Sequence, residues 1–354
     1  MLPTDARLAL IHDWVATGLG LEPTALEPAS SDASFRRYFR VFCGRTNGSR
    51  TFIVMDAPPG KEDVRPYVKV TRLLEGTGVH VPHIHEIDAE RGFLLLEDLG
   101  STQYLPRLKA GDDADALYGD ALAALLDIQV KGRDAAAELE PYDRAVLMRE
   151  MALMPEWFAS KHLGLTLSAA EQETVAAAFE FLVAEALAQP KVFVHRDYHS
   201  RNLMITGERN PGVIDFQDAL AGPIGYDLVS LLKDCYIAWP RERVERWISG
   251  YRTQLLKRSG QSAQLGGRDE REFLRWFDLI GVQRHIKVLG IFARLWYRDG
   301  KAGYLSDLPL TLEYVRDTCT RYEELAPLSA LVEKHFVPQL PLANARVMRE
   351  AQTK

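Results

Sequence analysis

The sequence predicts an α+β protein of two lobes, a small β-rich amino-terminal one and a larger, mainly helical carboxyl-terminal one. Three observations lead there. Between residues 35 and 99 the apolar side chains fall in short branched and aromatic runs separated by turns, with one helical stretch among them. Beyond Gly100 the apolar spacing is that of helices. And 354 residues are too many for one small core. The boundary is predicted near Asp98, giving lobes of 1–97 and 98–354.

Taken in order, Leu8, Ile11, Trp14, Val15 and Leu19 recur at helical spacing and predict an opening helix over 5–19. After Pro23 and Pro28 the texture turns to strands. Ser30 to Ser34 form a small polar turn, Phe35 to Phe42 a strand, Asn47-Gly48 a tight turn and Thr51 to Asp56 the next strand. A helix over about 64–76 follows, then strands at 82–88 and 92–99. In the second lobe, Leu117, Ala121, Leu122, Leu125, Leu126 and Gln129 share a helical face. Ser168-Ala169-Ala170-Glu171 is a capping box that starts a helix to about residue 188. Further helices are predicted at about 225–237, 241–258, 269–298 and 306–325, with loose pieces at 259–267 and after Leu342.

The most informative segment runs from Phe193 to Phe216. His195-Arg196-Asp197 is followed by Asn202, five positions after Asp197, and by Asp215, thirteen after that, on short apolar strands. Protein kinases use the pattern H-R-D-x-x-x-x-N, with a strand-borne Asp before Phe, to hold a magnesium nucleotide and deprotonate a hydroxyl. Hard oxygen ligands suit magnesium, so Asn202 and Asp215 are the candidate metal ligands and Asp197 the candidate catalytic base. His195 lies on the apolar run Val192 to Val194, which suits bracing of the loop better than proton exchange with substrate. Asp227, opening a helix, is a second bracing candidate, and Asp218 a support for the metal site.

Composition narrows the classes. A net charge of −6 argues against a general nucleic-acid binder. Cys43, Cys235 and Cys319 share no CxxC spacing, which suits a reducing cytoplasm. The amino terminus lacks a basic-then-apolar signal pattern, and no apolar run approaches the ~20 residues needed to span a bilayer. A cytoplasmic protein with no membrane, nucleic-acid or obligate protein partner is expected.

In the first lobe the turn with Ser31, Ala33 and Ser34 occupies the place of a nucleotide-covering loop, offering N–H and hydroxyl donors to phosphates, although it lacks glycine. A surface hairpin is the competing reading. The strand where kinases carry a phosphate-pairing Lys reads Ile53-Val54-Met55-Asp56, without a cation. Arg36 or Arg37 can supply the missing charge as a bidentate donor, or else face solvent. From Leu94 to Gly100, around Glu97 and Leu99, a backbone segment suits an adenine edge. For a sugar, His199, Arg201, Asp234, Arg284 and His285, with Trp239 and Trp296, are chemically suitable, and each also suits a structural role.

With these residues in hand, the chain resembles the aminoglycoside phosphotransferase-like kinases, small-molecule enzymes of the protein-kinase-like fold, over about 25–300 and most specifically over 193–228. The strings from Asp32 to Arg40, Val54 to Pro59 and Asp215 to Ala219 further resemble the bacterial anomeric amino-sugar kinases of that family. The resemblance implies ATP and Mg2+ as cofactors and phosphorylation of the C1 hydroxyl of N-acetylmuramate or N-acetylglucosamine during peptidoglycan recycling. The missing strand Lys departs from the wider family but is ordinary in this narrower group. An aminoglycoside, choline or homoserine kinase, or a nucleotide-binding pseudokinase without activity, are the alternatives.

Overall fold

The computed structural model describes residues 5–31, 35–44, 50–259, 267 and 269–352. The chain divides into two compact units, one of residues 1–124 with 201–218, the other of 125–200 with 219–354. The architecture is α+β and protein-kinase-like, an antiparallel sheet in the first part of the chain and helices through most of the rest. No helix among the described residues is long and apolar enough to cross a membrane.

The first unit opens on α1 (Ala6–Asp13), capped by the Asp5 carboxylate and followed by a wider helical turn at Trp14–Gly18. Five strands come next: β1 (Pro23–Ser31), β2 (Arg37–Cys43), β3 (Arg50–Asp56), β4 (Ile84–Asp88) and β5 (Phe93–Glu97), with α2 (Arg65–Glu75) between β3 and β4. They form one antiparallel sheet in the order β1-β2-β3-β5-β4. Pro23 and Pro28 lie on the edge strand β1, where a missing N–H costs the ladder least, and a register shift follows Pro28. Alternation along β2 puts Phe39, Val41 and Cys43 into a core with Ile11, Trp14, Val15, Val54, Phe93 and Leu95. The Asn47-Gly48 turn lies outside the described residues.

β3 ends on Asp56, a fully buried carboxylate that accepts Arg7 Nε at 2.7 Å and Arg37 Nε at 3.0 Å. Arg37 also pairs with Asp5. The strand position that lacks a cation therefore carries an acid that pins α1 to the sheet. Pairing of this kind makes a buried charge tolerable.

The helices continue with α3 (Tyr104–Lys109), α4 (Ala114–Lys131), α5 (Arg133–Ala136) and α6 (Arg144–Met151). A π-helical stretch at Met154–His162 precedes α7 (Ala169–Leu187), whose capping box is formed at both its bonds, Ser168 to the Glu171 N–H and Glu171 back to Ser168. Four short strands follow, β6 (Lys191–Val194), β7 (Leu203–Met204), β8 (Gly212–Val213) and β9 (Leu220–Pro223), paired β6 with β9 and β7 with β8. The second unit is completed by α8 (Gly225–Leu232), α9 (Arg241–Ser259), α10 (Glu270–Asp299), α11 (Leu308–Cys319), α12 (Ala326–Leu331) and α13 (Val337–Gln352).

Two expectations are corrected. The helix predicted to residue 237 stops at Leu232, because Asp234 turns the chain by accepting the Tyr236 N–H at 3.0 Å. The tail after Leu342 is helical through Gln352, held by buried Leu340, Ala343 and Val347 at spacings of three and four. Of the other stretch expected to be loose, residues 260–266 lie outside the described residues.

Candidate active site

In the helical unit the loop after β6 is fixed at both ends by acids. Asp227 on α8 accepts the N–H of His195 at 2.6 Å and of Arg196 at 2.9 Å. Asp234 accepts the Ser200 N–H at 3.1 Å and its hydroxyl. Between them, the Asp197 N–H donates to His195 Nδ1 at 3.2 Å, and the His199 N–H to the Asp197 carbonyl at 3.0 Å. Arg196 sits at φ 79°, a left-handed conformation that a side-chain-bearing residue keeps only where its surroundings enforce it. Here the enforcement comes from Asp227 and from Glu150, which accepts the Arg196 guanidinium.

Glu150 joins several elements. It pairs with Lys287 Nζ on α10 at 3.0 Å and accepts the Tyr142 hydroxyl, while Lys287 also donates to the Tyr226 hydroxyl at 3.0 Å. The result is a cationic setting for Asp197. Burial works to raise its carboxyl, but Lys287, then His199, Arg284 and Arg196, outweigh it and hold Asp197 below the usual carboxylate range. Asp227 goes the other way: burial, against the two backbone N–H bonds, pushes it up to about 7.

The remaining residues proposed for substrate in this unit differ in kind. His285 bonds the Lys233 carbonyl at 2.9 Å, stacks on Tyr314 with ring centres 4.8 Å apart and is 1% exposed. It is a core histidine rather than one that faces a ligand. Asp234 is committed to the loop, as described. Arg284 is buried with Nη1 3.6 Å from Cys235 Sγ, and its Nε makes no hydrogen bond among the described residues. His199 meets the Tyr236 ring edge-on at 5.4 Å.

In the β-rich unit, residues 201–218 form the β7-β8 hairpin. It is tied down by the Ile205 N–H to the Thr102 carbonyl at 2.8 Å and the Val213 N–H to the His80 carbonyl at 2.7 Å. Gly212 lets Leu99 pack close, since a Cβ would stand 2.7 Å from Leu99 Cδ1 and the leucine end would have to move. The Ile214 N–H bonds the Asn202 carbonyl at 3.1 Å, and Asn202 Nδ2 lies 3.2 Å from Asp215 Oδ2. The two candidate metal ligands are thus side by side. Asp215 has φ 65°, and its Oδ1 accepts Gln217 Nε2 at 3.0 Å. Gln217 Nε2 also reaches Asp218 Oδ2 at 3.3 Å.

Among the residues proposed for nucleotide, Ala33 and Ser34 lie outside the described residues, and Ser31 closes β1 with its backbone opposite Arg37. Arg37 is engaged by Asp5 and Asp56, whereas Arg36 lines a cavity. Glu97 takes His80 Nε2 at 3.1 Å and the His83 N–H at 3.2 Å. Leu99 packs over Gly212, and Arg201 is partly exposed.

Sequence reasoning passed over Glu150, Lys287 and Gln217. Glu150 shares a helical face with buried Leu147, Met151 and Met154, where a lone acid is a signal of a buried partner. Lys287 sits in the buried stretch from Leu279 to Leu289, beside the polar Gln283, Arg284 and His285. Gln217 lies two residues past Asp215.

The phosphotransferase enzyme family matches residues 25–277. An N-acetylmuramate/N-acetylglucosamine kinase of Pseudomonas aeruginosa is 48% identical over 341 residues, 93% of this chain and 96% of that one. Its namesake in Neisseria meningitidis is 44% identical over 333 residues, covering 92% and 95%. Among solved structures, Plasmodium vivax ethanolamine kinase aligns with a TM-score of 0.61 at 13% identity, over 90% of this chain and 89% of that one. A choline kinase of Streptococcus pneumoniae aligns at 0.58 and 14%, over 88% and 99%. At such identities the structures speak for the fold only.

Proposed function

The chain belongs to the phosphotransferase enzyme family, and from that premise we propose that it transfers the terminal phosphate of ATP to the C1 hydroxyl of N-acetylmuramate and N-acetylglucosamine. One observation carries the reading: 48% identity, over 93% of the chain, to a kinase named for these two sugars. In this reading the enzyme recovers cell-wall sugars in the cytoplasm. Residues 1–97 serve the nucleotide and 98–354 supply catalysis and most of the sugar site.

Asp197 is assigned as the base. The cations around it keep it ionised, so it can orient the sugar hydroxyl and accept its proton late in transfer. His195, Asp227 and Asp234 hold the loop that presents it. The missing strand cation is supplied by Arg36 in place of Arg37, whose guanidinium is engaged elsewhere.

Asn202 and Asp215 are assigned to Mg2+. The pair fits that ion: an amide oxygen and a carboxylate on neighbouring strand ends are a sparse, hard donor set, and magnesium keeps waters and substrate phosphates for its other positions. When bound, the ion would neutralise phosphate charge.

The test is ADP release coupled to each sugar, with 31P NMR to locate the new phosphate. Turnover with both sugars and a signal at C1 are expected. Absence of turnover with either one and the other would overturn the substrate assignment, and nucleotide binding without transfer to any hydroxyl would mark a pseudokinase.

A further inference from the structure

A cavity of about 350 Å³ in the β-rich unit is lined by Arg36, Lys61, Glu62, Asp63, Gln217 and Asp218, among others. Gln217 is its most constrained member. It is 8% exposed, and its Nε2 donates to the Asp215 and Asp218 carboxylates. Two carboxylate oxygens decide which end of the amide is nitrogen, because only the NH2 end can donate to them. The other end, Oε1, is buried and makes no hydrogen bond among the described residues. A protein rarely leaves such an acceptor unmet unless something else meets it.

The charges around the cavity differ in commitment. Asp63 pairs with Arg65 at 2.8 Å, and Glu62 accepts the Phe35 N–H at 3.0 Å. The Lys61 ammonium lies 4.8 Å from the centre of the Phe35 ring and makes no ion pair with a carboxylate among the described residues. Lys61 therefore offers positive charge in the cavity that Gln217 also lines.

We propose that this cavity reads the substituents of the sugar, with Gln217 Oε1 accepting an N–H or O–H and Lys61 taking a carboxylate. The inference rests on the sugar-kinase reading. N-acetylmuramate carries a lactyl carboxylate and N-acetylglucosamine does not, so the cavity is where the enzyme tells them apart. The same cation suits any anionic oxygen group, a nucleotide phosphate included, and the experiment separates the two sources.

Wild type, Lys61→Met and Gln217→Met are compared by ADP release on both sugars, with ATP varied separately and a thermal melt for each protein. Lys61→Met is expected to lower the ratio of kcat/KM for N-acetylmuramate to that for N-acetylglucosamine by about fivefold, the scale of one partly exposed ion pair. Gln217→Met is expected to raise KM for both sugars by about tenfold. If Gln217→Met melts early, Lys61→Met decides, since its side chain is exposed. An unchanged ratio in Lys61→Met overturns the proposal, as does a rise in KM for ATP in its place, which gives the cation to the nucleotide. A wild type silent on both sugars sinks the kinase reading and this subsite with it; an active wild type with an unaltered ratio sinks the subsite only.

Discussion

Lys287 Nζ stands 3.0 Å from Glu150 Oε1, and their side chains are only 8% and 9% exposed. Glu150 is shared with Arg196 of the loop that carries Asp197, so an ion pair between α6 and α10 also fixes the backbone beside the proposed base. Structure and chemistry are joined at one carboxylate.

Lys287→Met should therefore show two effects. Removing one partner of a buried pair costs about 3–5 kcal/mol of stability. It also removes the strongest of the cations that hold the Asp197 carboxyl down, leaving His199, Arg284 and Arg196. The acidic limb of kcat/KM should move to higher pH in the variant. Equal limbs in the two proteins, with the stability loss present, would mean that Lys287 is a packing residue without influence on the base.

Asp227 yields a prediction of opposite sign. Its carboxyl is pushed up to about 7 from an ordinary 3.8, chiefly by burial. Between those values the folded chain keeps a proton that the unfolded chain releases, so this contribution to stability is complete below pH 3.8, falls as pH rises and is lost above about 7. Asp227→Asn lacks this contribution. Urea denaturation of both proteins from about pH 4 to about pH 8 should show wild type losing ground to the variant. A constant difference across that range would place the Asp227 titration elsewhere.

Much of this was legible in the sequence where local chemistry decides. β2, β3 and β5 announce themselves in branched and aromatic runs, and α7 in the reciprocal bonds of Ser168 and Glu171. The motif residues Asp197, Asn202 and Asp215 are spelled out in linear order. α13 was hidden because its buried face is sparse and its hold is tertiary: Asn344 bonds the His162 ring at 2.8 Å and Arg346 the His162 carbonyl at 2.6 Å. The Glu150 and Lys287 pair was hidden likewise, since burial of a charge depends on partners remote in sequence. His285 shows the converse, a residue of suggestive chemistry that packing against Tyr314 explains.

Two glycines of α10 should respond to alanine in opposite directions. At Gly290 a Cβ would stand 2.4 Å from the Leu153 carbonyl carbon and 2.5 Å from its Cβ. Backbone cannot yield cheaply, so Gly290→Ala should lose about 1–3 kcal/mol despite the gain in helix propensity. At Gly281 the nearest atom is a Val229 methyl at 3.6 Å, an ordinary contact. Gly281→Ala should gain about 0.5–1 kcal/mol. Thermal melts of the two variants check both signs, and a stable Gly290→Ala would show that the approach of α10 to Leu153 is looser than the geometry requires.

Asn202 and Asp215 lie 3.2 Å apart, but they should fail differently when changed. Asp215 is the charged member, and its Oδ1 also orients Gln217. Asp215→Asn removes the charge proposed to bind the cation, so turnover should collapse at any magnesium concentration. Asn202→Ala removes a neutral donor and leaves the carboxylate, so its loss should be partly recovered by excess metal, with the magnesium needed for half-maximal rate raised at least about tenfold. Titration of magnesium at fixed ATP distinguishes the two. A deficit in Asn202→Ala that no magnesium concentration relieves would assign Asn202 to holding Asp215 in its left-handed conformation, and the metal would then have to be held without it.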